Sequence, residues 1–344
     1  MSKRVVLIGH PVSHSLSGAM QQAAFDAVGI GGGVVSRLLR RPGGGASMTK
    51  RVVLIGHPVA HSLSGAMQQA AFDELGIDAR YELWDKPPIE LADAVGELRT
   101  DDFLGANVTI PHKERVVPMV DRLTEEASAT GAVNTITSEG KRLIGHNTDV
   151  AGFKVSLDKL VGRQKMPKQA VILGAGGGSR AVVYGLIREG FQRIVVFNRH
   201  LHRAEGLVKH FGRTAAHMEL RAMPWHDSIL ESEIAKAKVL INATSIGLTS
   251  DASPMPAEFL NDELLVLDLI YAKTRLLRDA HAAGATTLDG ELMLLHQGAA
   301  AFTLWTGQPA PLELMQSKLA EARAGGLRSA EGEPTGEPAV AAAE

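Results

Sequence analysis

The chain has no cysteine. Disulfides, thiolate zinc sites and thiol nucleophiles are therefore excluded together, although the compartment is not fixed by this absence. An excess of basic charge is also missing. Lys and Arg total 36 and Asp and Glu total 38, for a formal charge of −2. Without that excess there is little to displace counterions from a phosphate backbone, so nucleic acid is not an expected partner. No apolar run approaches the roughly 18–20 residues of a membrane helix. The opening MSKRVVLIGHPVSHSLS turns basic and apolar but breaks at Gly9, His10 and Pro11. This is too short for a secretory core and lacks a small-residue cleavage site. A soluble cytoplasmic protein is expected. What remains is an ordinary globular composition, 45% hydrophobic and 22% charged, and 344 residues correspond to about two domains.

The chain begins with a duplication. Met1–Ile30 and Met48–Ile77 differ only at Ser2/Thr49, Ser13/Ala60, Ala27/Glu74 and Val28/Leu75. The repeat occurs once more and stops, so it is not a solenoid. The glycine-rich Gly31–Ser47 between the copies reads as a flexible linker. Each copy encodes a strand, a loop and a helix, and a parallel sheet has one slot for that strand. The second copy leads directly into the next strand candidate, so it is the expected working copy. The first is then surplus (Met48 being the natural start) or pairs with a second subunit. At the other end, residues beyond about Arg323 hold few large apolar side chains and are expected to be disordered.

Between these ends, strand and helix signals alternate. Strand candidates are Val52–Ile55, Arg80–Leu83, Leu104–Val108, Ala132–Thr137 and Arg142–Gly145, then Ala170–Leu173, Arg193–Phe197, Ala215–His217, Val239–Asn242, Leu265–Asp268 and Thr286–Leu288. Helices intervene, for example at Arg180–Glu189 and His202–Phe211. The pattern predicts an α/β fold of two lobes with parallel sheets. The first lobe spans 48–149, the second spans 150–289, and Asp149–Val161 bridges them. Helices at Glu291–Thr306 and Leu312–Ala322 have no surface left in the second lobe. They are expected to return to the first, which residues 290–322 then complete.

The apolar run Ala170–Leu173 ends in Gly174-Ala175-Gly176-Gly177-Gly178, with a helix pattern following from Ser179. Such glycines permit either a plain tight turn or the close approach of a diphosphate to a helix N-terminus. Ser179 stands where a third fingerprint glycine is usual. The next strand ends in Asn198-Arg199-His200, with Arg203 one helical turn on. An acidic residue there would accept from the ribose 2′-hydroxyl of NAD. Arginines instead suit a 2′-phosphate, so the loop reads as a site for NADP.

The first lobe carries four polar segments. Ser62 and Ser64 flank a helix start, where hydroxyls cap or face a polyol or carboxylate. Asn107-Val108-Thr109-Ile110-Pro111-His112-Lys113 ends a strand. Pro111 suits a helix first turn, and Lys113 sits beside it. Gly131-Ala132-Val133-Asn134-Thr135 and Gly145-His146-Asn147-Thr148-Asp149 add amides and a carboxylate, groups that also form turns. Thirteen histidines invite a metal reading, but no HExxH or facial His/Asp spacing occurs, and no metal is expected.

Taken together and in order, these segments resemble the shikimate dehydrogenase family. The set is Ser62-Leu63-Ser64, Asn107-Val108-Thr109 with Pro111-His112-Lys113, Gly131–Thr135, Asn147-Thr148-Asp149, Gly174–Gly177, Asn198-Arg199, Asn242-Ala243-Thr244-Ser245-Ile246-Gly247 and Gln297-Gly298-Ala299. The resemblance covers about residues 50–305. It implies a substrate-binding lobe, a Rossmann-like NADP lobe and reversible NADPH-dependent reduction of 3-dehydroshikimate to shikimate, in the route to aromatic amino acids.

By the same resemblance Lys113 and Asp149 are the catalytic pair. Ser62 and Ser64 bind the carboxylate, and Thr109, Asn134 and Gln297 bind hydroxyls. Tyr271 meets the junction of substrate and nicotinamide. Gly174, Ala175, Gly176, Gly177, Asn198, Arg199, Arg203, Asn242, Thr244 and Ser245 hold the cofactor. The implied partner is the small-molecule substrate, in a monomer or homodimer. The sequence departs from the family in the shortened Tyr271-Ala272-Lys273-Thr274, in His200 where threonine is usual, and in Leu292 and His296 where small residues are usual. Other readings are an NAD-using quinate or shikimate dehydrogenase, which Arg199 opposes, and a non-catalytic ligand-binding paralogue, which retention of Lys113 and Asp149 opposes. A folate-type dehydrogenase would lack the set running from Ser62-Leu63-Ser64 to Gln297.

Overall fold

A computed structural model describes residues 49–331. The chain divides into a unit of residues 1–48 and a unit of residues 49–344. The first copy of the duplication and its linker fall in the former, and they and the end of the chain beyond 331 lie outside the described residues.

The described unit is built on two six-stranded sheets. The first starts with β1 (Lys50–Gly56), followed by α1 (Ser64–Glu74), β2 (Ala79–Asp85), α2 (Leu91–Glu97) and β3 (Phe103–Val108). β1 lies between β2 and β3, parallel to both. Its Val-Val-Leu-Ile run is continuous because both faces are covered. Val53 and Ile55 join Leu91, Val95 and Ile136 on one side. Val52 turns to Met67, Phe72, Phe302 and Trp305 on the other. β4 (Arg122–Leu123), α3 (Glu125–Thr130), β5 (Thr135–Glu139) and β6 (Arg142–His146) complete this lobe, giving the order β2-β1-β3-β5-β6-β4.

The sheet is mixed where the sequence suggested parallel strands. β5 runs antiparallel to both β3 and β6. The cause is local: Glu139 pairs with Arg142, leaving only Gly140-Lys141 to reverse the chain. A two-residue connection joins only antiparallel strands, and Gly140 supplies the left-handed conformation at φ +65°.

α4 (Asp149–Val161) leads to the second lobe. There β7 (Gln169–Leu173), α5 (Gly177–Arg188), β8 (Arg193–Asn198), α6 (Leu201–Phe211), β9 (Glu219–Pro224), α7 (Asp227–Ile234), β10 (Val239–Asn242), β11 (Leu265–Asp268), α8 (Arg275–Ala282) and β12 (Thr286–Leu288) follow one another. The order β12-β11-β10-β7-β8-β9, with parallel pairing throughout, is the doubly wound arrangement. Its strand order reverses between β7 and β10, where a crevice opens at the strand ends. The strand expected at Ala215–His217 is instead β9 at Glu219–Pro224. The Ala215 N–H bonds back to Phe211 O at the end of α6 (2.8 Å), and residues 212–217 are turns, so the strand starts only after them.

The last helices, α9 (Glu291–Thr306) and α10 (Leu312–Glu331), return to the first lobe. Trp305 Nε1 donates to Ile136 O at 2.9 Å, and Met315 and Leu319 pack with Phe72 and Phe302. α10 continues beyond Ala322, where disorder was expected from Arg323 onward. Its Ala, Glu, Arg and Leu content favours helix, and Arg323 pairs with Asp289 and Glu291. No described helix is long and apolar enough to cross a membrane.

α4 and α9 cross closely because Gly152 has no side chain. A Cβ there would meet Met293 O at 2.5 Å and Gln297 N at 3.1 Å. Gly152→Val is expected to cost about 1–3 kcal/mol through overpacking. A thermal melt checks this. The parent should exceed the variant by several degrees, and an unchanged midpoint would show that the crossing is loose.

Candidate active site

The site gathers at the strand ends of the first lobe. Lys113 follows β3 in a series of turns that includes a cis Ile110–Pro111 peptide, not in the helical first turn that Pro111 suggested. His112 anchors these turns. Its N–H bonds to Thr109 O at 2.9 Å, and its fully buried ring meets Lys86 O through Nε2 at 2.7 Å. Lys113 is thereby directed inward, where Nζ donates to Asp149 Oδ2 at 2.6 Å. Both side chains are mostly buried, at 16% and 6% exposure. Asp149 opens α4, so the positive end of the helix dipole faces its carboxylate.

Asn134 organises the opposite side. Its Nδ2 lies 2.9 Å from Asp149 Oδ1, 2.9 Å from Thr148 Oγ1 and 3.2 Å from Gln297 Oε1. Its Oδ1 accepts from the Thr148 N–H at 2.7 Å. An amide nitrogen has two protons for these three acceptors, so acceptor capacity is left over for hydroxyl groups of a ligand. Gln297 is held by donation from Nε2 to Leu294 O at 2.9 Å.

Ser62 Oγ accepts from the Ser64 N–H at 3.3 Å, and the Ser64 side chain is buried. Ser64 reaches the hydroxyl of Tyr81, which donates to Asn107 Oδ1 at 2.8 Å. Asn107 Nδ2 continues to Asn134 O at 3.2 Å and Thr135 Oγ1 at 3.1 Å. Burial pushes the Tyr81 hydroxyl above the ordinary tyrosine range, against the lowering bond from Ser64. A hydrogen-bonded chain thus joins the serine segment to the Lys113–Asp149 pair. Tyr81 was not legible as a site residue. It lies in a strand with no polar motif, and only its fold neighbours reveal it. Thr109 is half-buried, and its methyl passes over Gly56, where a Cβ would collide.

The glycine loop faces this cluster from the second lobe. Gly174 adopts φ +106°, and a Cβ there would lie 2.8 Å from Ala243 O. Beside Gly176 no atom would stand within 4 Å of a Cβ, leaving the start of α5 open to a diphosphate. Ala175 is buried. Ser179, in place of the third glycine, is also buried and accepts from the Gly176 N–H at 3.2 Å. It is small enough for close packing and secures the turn. Under Lys113 lies Gly177, where a Cβ would be 2.8 Å from that lysine's own Cβ.

At the end of β8, Asn198 Nδ2 donates to His200 O at 2.9 Å. Arg199, His200 and Arg203 are exposed there, apart from the lysine cluster. The two arginines and the open glycine turn fit an NADP rather than an NAD adenosine end.

Asn242 is expected to contact the cofactor. It is fully buried. Nδ2 donates to Asp268 Oδ1 at 3.0 Å, and Oδ1 accepts from Thr244 N and Oγ1 at 3.1 and 2.7 Å. It therefore shapes the 243–247 loop, on which Thr244 is half-buried and Ser245 exposed. Asp268, which the sequence reading did not single out, ties this loop to the next. It also accepts from Ile270 N at 3.0 Å and Thr274 Oγ1 at 2.7 Å. Tyr271 follows, half-buried, its hydroxyl raised above the ordinary range by burial. Among the described residues no group of three or more His, Asp and Glu side chains is placed to hold a metal ion.

Family models match three stretches: a shikimate dehydrogenase substrate binding domain over residues 54–136, shikimate/quinate 5-dehydrogenase over 158–268, and a shikimate 5′-dehydrogenase C-terminal domain over 290–319. The NADP+ shikimate dehydrogenase of Methanopyrus kandleri is 41% identical over 92% of this chain and 94% of its own. That of Moorella thermoacetica is 40% identical over 92% of each chain. Among solved structures, shikimate 5-dehydrogenase from Thermus thermophilus in complex with NADP(H) and shikimate matches with a TM-score of 0.69 and 40% identity, over 79% of this chain and 99% of that one. Quinate dehydrogenase from Corynebacterium glutamicum in complex with NAD matches with a TM-score of 0.70 and 30% identity, over 79% and 99%.

Burial holds the Asp268 carboxyl above the usual carboxylate range, against the hydrogen bonds from Ile270, Thr274 and Asn242 that lower it. The folded protein therefore takes up this proton more readily than the unfolded chain. The resulting stability is fully present below the unfolded value and declines as pH rises through the folded one. Denaturant melts of the parent and Asp268→Asn between about pH 4 and about pH 8 should show the parent's margin narrowing toward high pH. A margin that widens would contradict the assignment.

Proposed function

The chain belongs to the shikimate dehydrogenase family, and we propose that Lys113 and Asp149 carry its proton chemistry in the reversible, NADPH-dependent reduction of 3-dehydroshikimate to shikimate. The observation that carries this reading is the Lys113–Asp149 contact at 2.6 Å, packed against the glycine turn of the other lobe. Bound NADPH would supply the hydride that reaches the substrate carbonyl carbon. Lys113 donates a proton to the oxygen on which negative charge develops, and its charge stabilises that oxygen beforehand. Asp149 holds the ammonium in place, and its own position is set by α4 and Asn134. In the oxidation direction the same lysine accepts the hydroxyl proton.

Ser62 and Ser64 orient the substrate carboxylate, while Thr109, Asn134 and Gln297 bind its hydroxyls. Tyr271 closes the junction with the nicotinamide. Gly174–Gly177 would take the diphosphate, and Arg199 and Arg203 the 2′-phosphate. Thr244 and Ser245 border the nicotinamide end, on a loop that Asn242 sets. The reading places this reaction in aromatic amino-acid synthesis in the cytoplasm, carried out by a monomer or homodimer.

Steady-state kinetics with shikimate and NADP+, against quinate and NAD+, test the substrate reading. The first pair should give the higher kcat/KM, and no turnover with either would favour a binding paralogue. Lys113→Ala should lower kcat by about 10²–10⁴-fold with little change in KM. A large rise in KM at unchanged kcat would assign the lysine to binding instead.

A further inference from the structure

The contact between Gly177 and Lys113 is one part of a larger seat. Arg180 lies in the first turn of α5, on the face that meets the first lobe. Its Nη2 pairs with Glu114, the neighbour of Lys113, at 2.8 Å. Its Nη1 donates to Thr130 O at 3.0 Å, just before the segment that delivers Asn134. The Thr130 hydroxyl in turn accepts from Asn147 Nδ2 at 2.9 Å, two residues before Asp149. One guanidinium therefore touches the segments carrying Lys113 and Asn134 directly, and the segment carrying Asp149 through Thr130. It is only 14% exposed, and its Nε is buried without a hydrogen-bond partner. That burial costs free energy and is held by the contacts on either side. Gly131 leaves the space: a Cβ there would lie 3.1 Å from Arg180 Nη1 and 2.7 Å from His210 Cε1. His210 makes a parallel contact to Ala129 O at 2.8 Å.

We propose that Arg180 is a positioning residue for the reaction: from the cofactor lobe, through Glu114 and Thr130, it sets the alignment of Lys113 over Gly177. This rests on the reading of Lys113 given above and extends it. The lysine's working geometry is then not a property of its own lobe. It exists only while α5 is docked against the turns after β3, so closure of the lobes and alignment of the proton donor are a single event. The helix start that receives the diphosphate is the same turn that carries Arg180, so the two lobes meet the reaction through one rigid element.

The test is the kinetics of Arg180→Met, Glu114→Gln and their double variant, with Lys113→Ala alongside. Misalignment of a reacting group lowers turnover, so each single variant should lose kcat by about tenfold or more, with the KM for shikimate and for NADP+ within about threefold. The double variant should lose no more than the worse single one, because both break the same contact. A rise in the KM for NADP+ confined to Arg180→Met would make the arginine a phosphate ligand and overturn the proposal, as would additive losses in the double variant. If Arg180→Met does not fold, Glu114→Gln decides alone: normal kcat overturns the proposal. If Lys113→Ala keeps full turnover, the reading of the lysine fails and this inference with it. If Lys113→Ala loses turnover while the other variants keep theirs, only the inference fails.

Discussion

An ammonium and a carboxylate held 2.6 Å apart and largely out of water impose demands on everything around them. Bringing charges out of water is costly, and their attraction compensates only when the remaining hydrogen-bonding capacity is met and the geometry is fixed. Asp149 meets both conditions. One oxygen takes Lys113, the other takes Asn134, and the start of α4 supplies the dipole. Lys113 depends on the turns pinned by His112 on one side and on Gly177 on the other. Removing one partner would leave the other charge buried and uncompensated, so the pair constrains both lobes.

The two crossing helices show how the constraint is transmitted. α4 begins at Asp149 and then enters the second lobe, where Phe153 packs across Gly185 of α5 so closely that no Cβ would fit there. α9 leaves β12, carries Gln297 to Asn134 and ends with Trp305 against the first sheet. The connections between the lobes are thus themselves parts of the site. This explains why Gly152 sits at the crossing: any bulk there would move Asp149 and Gln297 relative to each other. The loops bordering the cofactor region depend in the same way on the buried knot of Asn242, Asp268 and Thr274.

Much of this was legible in the sequence for definite reasons. The apolar run of β1 and the run of β7 ending in glycine mark strands buried on both faces, and the alternation with amphipathic segments gave two α/β lobes. The ordered polar motifs gave Lys113, Asp149, Asn134 and Gln297, which the fold brings within hydrogen-bonding reach in one network. What was missed depends on pairing that sequence spacing does not carry. The antiparallel β5–β6 hairpin was hidden because its strands look like any others, although Gly140-Lys141 is a turn signal. Proline at 111 suits a helix start, whereas the buried ring of His112 holds the segment as turns. Tyr81, Asp268 and Arg180 carry no motif of their own. Their partners lie 26, 26 and 66 residues away, so only the folded chain shows what they join. Asn242 stood in a recognisable motif, yet its amide faces the interior.

The most direct examination of the central claim is a crystal structure of the chain with shikimate and NADP+ bound. Lys113 Nζ is expected within hydrogen-bonding distance of both Asp149 and the substrate hydroxyl undergoing oxidation, with the nicotinamide on the other face of that carbon. Lys113 and Asp149 separated from each other, or turned away from the bound ring, would contradict it.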